Sequence, residues 1–120
     1  GDRDLLDTAL REAWEEVGLP REQVEVLGRL HPVPTPTGYM IVPFIGRVRG
    51  DWQPQKLSPE VARILTPSLR TLMDPEIHHA AGRVEWQGQE YELHEYRIGD
   101  PPLWGATARM VWDLLERIRG

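Results

Sequence analysis

Four apolar residues near the start of the chain, Leu6, Leu10, Ala13 and Val17, are spaced four, three and four apart. At about 100° per residue they fall on one narrow stripe, so Asp4 to Val17 reads as an amphipathic helix with one side committed to a core. Asp2 or Asp4 can cap its start and suits the helix dipole. Gly18, followed by Pro20, is placed to stop it.

After this helix the pattern changes. Val24 to His31 reads as a strand. Pro32, Pro34 and Pro36 remove donors and fix φ, so the stretch to Gly38 is expected to be irregular. Met40 to Val48 reads as a second strand, with Pro43 marking an edge or a bulge. Ser58-Pro59-Glu60 has the form of a helix start, with Val61, Ile64 and Leu65 inward. Thr66-Pro67 repeats the signal and predicts a short second helix or a kink. Val84–Trp86 and Tyr91–Tyr96 read as a hairpin turning at Gln87-Gly88. Ala106 to Ile118 reads as a helix with Ala108, Val111, Leu115 and Ile118 inward. Helices and strands in this mixed order predict an α+β domain or a mixed sheet sandwiched between helices.

With 120 residues the chain fits one domain. It has no cysteine, which excludes disulfides, zinc–thiolate sites and thiol nucleophiles. Nineteen acidic against 14 basic residues give a net charge of −5, which argues against a nucleic-acid partner. No run of about 18 apolar residues exists, so no membrane partner is expected, and the cytoplasm is the default location. Thirteen of the 14 basic residues are Arg, which GC-rich coding explains more simply than thermophily.

The chemistry lies in Arg11-Glu12-Ala13-Trp14-Glu15-Glu16-Val17-Gly18-Leu19. Glu12 and Glu16 stand one turn apart and about 40° apart around the helix. Like charges so placed repel by a few tenths of a kcal/mol. Either neighbouring cations offset that repulsion or a divalent ion sits between the two. Mg²⁺ favours hard oxygen ligands of this type. Arg11 and Glu15 are also four apart and can pair on the adjacent face. Acidic surface helices with the same spacing and no ion are common.

The string Arg-Glu-apolar-x-Glu-Glu-x-Gly-apolar resembles the second half of the Nudix box, with every defined position matched by Arg11, Glu12, Ala13, Glu15, Glu16, Gly18 and Leu19. Asp2, Asp4 and then Thr8 to Glu12 are similar to the coenzyme A pyrophosphatase branch of that family. The family box opens on a glycine pair after a strand, whereas this sequence opens at Gly1 inside the box. The resemblance therefore implies a single Nudix domain over residues 1–120 that lacks its N-terminal strands and the first part of the box. It further implies Mg²⁺- or Mn²⁺-dependent hydrolysis of a nucleoside-diphosphate-linked small molecule. Glu12, Glu15 and Glu16 would be metal ligands, Arg11 would orient Glu15, and Glu60 would be the general base, with Glu12 or Glu15 as the alternative. For Glu60 the plain reading is a first-turn acid answering a helix dipole.

Coenzyme A is the substrate this branch implies, yielding 3′,5′-ADP and 4′-phosphopantetheine. Two other readings stay open: a Nudix hydrolase of ADP-ribose or a related compound, and a Nudix domain that binds a nucleotide without cutting it. In the ADP-ribose branch a proline falls some 16 residues past the box; here Thr35 occupies that place between Pro34 and Pro36. His31 and Tyr39 are substrate-binding candidates beside the proline-rich loop, where rigidity and edge packing explain them as well. Trp104 reads as an apolar anchor before the last helix, and His78-His79 as a solvated loop pair. A monomer or a homodimer is expected.

Overall fold

The computed structural model describes residues 2–120 and divides into two compact units, one formed by residues up to 30 and 42–65, the other by 31–41 and 66–120. Helices and strands alternate irregularly, so the fold class is α+β. The described strands form three two-stranded antiparallel ribbons.

In the first unit, helix α1 runs Asp2–Val17. Leu6, Leu10, Ala13 and Val17 are half-buried along it, as their spacing predicts. Asp4 lies inside the helix rather than at its cap, and the side chain of Asp2 lies outside the described residues. Gly18 ends the helix at φ +72°, with its N–H bonded to the Trp14 carbonyl at 3.1 Å. Only glycine takes this left-handed cap freely, and a Cβ there would also sit 3.2 Å from Leu57 Cδ1. A 3₁₀ turn at Arg21–Gln23 follows, held to α1 by an ion pair between Arg21 and Asp7.

Strand β1 (Val24–Arg29) pairs antiparallel with β4 (Phe44–Val48), with a register shift between Val26 and Gly28. Apolar residues of α1 (Leu6, Leu10, Ala13) and of the ribbon (Val26, Phe44, Ile45) line an open cleft of about 190 Å³. The long second strand expected from Met40 is thus broken in two at Val42-Pro43, where proline cannot donate to a ladder.

The helix expected from Ser58 does not form. Ser58 makes a single turn, its carbonyl accepting from Val61 and its Oγ from Glu60 N–H. Lys56 Nζ then takes the Ala62 carbonyl at 2.9 Å, an acceptor the helix would need for itself. Thr66 precedes a proline and is biased toward extended backbone, which closes off the other end.

In the second unit, β2 (Val33–Pro34) and β3 (Met40–Ile41) form a short ribbon inside the stretch expected to be irregular. Thr35 N–H bonds the Tyr39 carbonyl, so the neighbouring Pro34–Met40 pair falls where the ladder alternation asks for no N–H. The short helix α2 (Leu69–Leu72) starts one residue after Ser68, whose Oγ accepts from Thr71 N–H at 3.1 Å. Ser68, and not Thr66, is therefore the cap.

The predicted hairpin is longer than its alternation suggested. Strand β5 runs His78–Trp86 and β6 runs Gln89–Tyr96. Gln87 and Gly88 turn it with φ of 49° and 78°, the sign pattern of a tight hairpin turn that twists with its strands. His78 and His79 thus belong to a strand rather than a solvated loop, because the cross-strand partners Tyr96 and Glu95 continue the ladder to them.

Helix α3 (Gly105–Arg119) packs on this hairpin, and the core of the second unit gathers there from Leu72, Tyr96, Ala108 and Leu115. Val111 joins its border as expected, but Ile118 is exposed. Trp104 is also exposed, at 70%, so it does not act as the expected anchor.

Burial pushes the Tyr96 phenol up to about 12; a neighbouring Arg119 opposes the shift and Glu116 adds to it. A raised phenol is protonated in the folded chain over a range where the unfolded chain has already ionised. Its contribution is complete below about pH 10 and is lost as pH rises to about 12, on the order of 2 kcal/mol. Urea midpoints measured across that window are expected to fall in the native protein and much less in Tyr96→Phe.

Candidate functional site

Helix α1 carries the box acids in its second half. Glu12 and Glu15 are exposed and Glu16 is half-buried. The expected Arg11–Glu15 pair forms, with Nε 3.7 Å from Oε1 and both side chains about 60% exposed. At that exposure the pair adds little stability and serves mainly to bias the orientation of Glu15. Glu12 and Glu16 stack one turn apart on the face between Glu15 and the buried stripe.

The last turn of the helix is held from outside. Leu57 N–H donates to the Glu16 carbonyl at 2.9 Å and Gln55 N–H to the Val17 carbonyl at 3.2 Å. Trp52 Nε1 donates to the Gly18 carbonyl at 3.1 Å. These bonds satisfy carbonyls that a helix end leaves without partners. The backbone of Glu16 is thereby fixed, and the segment from Trp52 to Leu57 is anchored three residues before Glu60. Sequence reasoning missed Trp52, Gln55 and Leu57, because an irregular strap containing Pro54 has no periodicity to read. A lone tryptophan in a polar stretch was the available signal.

Glu60 itself is exposed in the Ser58 turn, so the reading of it as a first-turn helix acid does not hold. Among the described residues, no three His, Cys, Asp or Glu side chains converge at metal-binding distance. The donor chemistry nevertheless fits a hard cation: three carboxylates on adjoining faces of one helix, two of them reaching open solvent. Two clefts of this unit do not include the three acids: one is lined by the apolar stripe and the β1–β4 ribbon, another by Leu10, Arg11, Trp14, Pro20, Arg21 and Glu22.

His31 and Tyr39 lie in the second unit. The His31 side chain is exposed while its N–H donates to Asp113 Oδ2 at 2.9 Å, which ties the entry of the proline-rich loop to α3. Tyr39 is 75% exposed at the far side of a turn closed by Thr35, whose Oγ1 accepts from Tyr39 N–H at 3.2 Å.

A model of the NUDIX domain matches residues 1–90. The chain is similar to the uncharacterized Nudix hydrolase NudL of Photorhabdus laumondii, at 30% identity over 118 residues, covering 98% of this chain and 63% of that protein. The proteins of the same name from Yersinia pestis and Yersinia pseudotuberculosis are 29% identical over 117 residues, covering 98% and 58%. The chain therefore spans about six tenths of the length of these curated relatives. With three-quarters of its residues inside the domain match and the box acids together on α1, the chain belongs to the Nudix family.

Proposed function

We propose that this domain is a metal-dependent pyrophosphohydrolase acting on a small nucleoside-diphosphate derivative, with coenzyme A as the substrate. The observation that carries the reading is the clamped last turn of α1, which holds Glu16 one turn above Glu12 with Glu15 tethered by Arg11. Retention of all three acids supports catalysis over the binding-only alternative.

Glu12 and Glu16 would hold Mg²⁺ or Mn²⁺, with Glu15 completing the set. A divalent ion bound there supplies neutralisation of the pyrophosphate charge. Arg11 would orient Glu15 through their ion pair on the adjacent face. Glu60, on the turn that follows the anchored strap, would accept the proton from the attacking water. His31 and Tyr39 are assigned to substrate contacts, Tyr39 through its exposed ring.

Support for coenzyme A comes from the Asp2, Asp4 and Thr8–Glu12 pattern. The test offers coenzyme A, ADP-ribose and dinucleoside polyphosphates side by side with Mg²⁺ or Mn²⁺, reading the products by mass. Release of 3′,5′-ADP from coenzyme A well ahead of the others is expected. Faster cleavage of ADP-ribose moves the assignment to that substrate. Metal binding without cleavage of any of them makes this a binding domain.

A further inference from the structure

The hairpin and α3 meet at a stack of rings that the proposed hydrolysis does not use. His94, 3% exposed, lies between His78 and Trp112. Its ring centroid is 5.0 Å from that of His78 and 4.7 Å from that of Trp112, with interplanar angles of 27° and 19°. His78 Nε2 and His94 Nδ1 are 2.8 Å apart, a hydrogen bond in which one nitrogen donates and the other accepts. His94 Nε2 is buried, 3.4 Å from Glu92 Oε1 but without a hydrogen bond to it.

This geometry limits how many protons the two rings can hold. With both neutral, one N–H points at one lone pair. One added proton can be carried on an outer nitrogen and leave the bond intact. With both rings charged, two N–H groups face each other at 2.8 Å and the bond becomes a repulsion. We propose that His78 and His94, on the two strands of the hairpin, form a pair that accepts at most one added proton while the chain stays folded, so that acid destabilises the hairpin at the face α3 covers.

The surroundings bear on the pair from each packed element. From β5 there is His78 itself; from β6, Glu92 and the Tyr96 ring, 5.0 Å from His78; from α3, Arg109, which lies 4.9 Å over the Trp112 ring, and Glu116. Burial holds His94 below the ordinary imidazole range; Glu92 and Glu116 oppose that, while His78 and Arg109 reinforce it. A lowered imidazole favours the folded state above the unfolded value and loses stability as pH falls below about 6.5.

Two measurements on the whole chain test the proposal. NMR of the imidazole nitrogens from about pH 8 to about pH 5 is expected to show the two rings shifting together and taking up no more than one proton while folded. Two independent full titrations with the chain still folded overturn the proposal. In urea, the unfolding constant is expected to rise about tenfold per pH unit below about 6.5, because the unfolded chain binds one more proton on this pair. In His94→Gln the amide oxygen can accept from His78 in either of its charge states, so no two N–H groups face each other and this contribution disappears. Equal slopes in native protein and variant overturn the proposal. Where the variant does not fold, the ring titration decides.

Discussion

Glu16→Gln is expected to lose Mg²⁺-dependent turnover by about a hundredfold or more while keeping its fold. The substitution keeps the shape of the side chain and removes one charge from the Glu12–Glu16 stack. The backbone bond from Leu57 to residue 16 does not involve the side chain, so the end of the helix stays clamped. Relief of like-charge repulsion leaves the thermal midpoint unchanged or slightly raised. Calorimetric titration with Mn²⁺ supplies a readout independent of turnover, and the affinity is expected to fall with the rate. A variant with near-native rate and native Mn²⁺ affinity shows that the ion is held elsewhere. A variant with lost rate and unchanged affinity moves Glu16 from ligand to substrate positioning.

The largest stability effect is expected at Leu115→Ala. Leu115 is 2% exposed and sits in the small cluster with Leu72, Tyr96 and Ala108. Truncating a buried leucine removes its transfer free energy and leaves a cavity, together about 2–5 kcal/mol. The neighbours Met73, Ile77, Val111 and Trp112 are only partly buried, so some collapse into the gap is expected and the middle of that range applies. Urea unfolding followed through the amide protection of β5, β6 and α3 measures it. A loss below about 1 kcal/mol would show that this cluster is not the core of the second unit. Ile118→Ala, on the same helix but exposed, is the matched control and is expected to be nearly neutral.

Much of the local structure could be read directly from residue order. The α1 stripe, its stop at Gly18, the β1 strand, the Gln87-Gly88 turn and the α3 helix follow from periodicity and turn chemistry acting within a few residues. The acids on α1 were legible for the same reason: spacing on one helix fixes which side chains share a face. The Arg11–Glu15 pair is local in the same sense.

Tertiary structure decided what depends on partners distant in sequence. Ser58 carries a sound helix-start signal, yet Lys56 captures the Ala62 carbonyl and residues 61–68 take no regular structure. Trp52, Gln55 and Leu57 reach back some 40 residues to cap α1, an arrangement no period encodes. His78 and His79 are featureless as a sequence pair, and only the register of β6 brings His94 onto His78. Local order decides which way a side chain points along its own element. Burial, and with it the shifted imidazole and phenol, arises only when another element comes to cover that face.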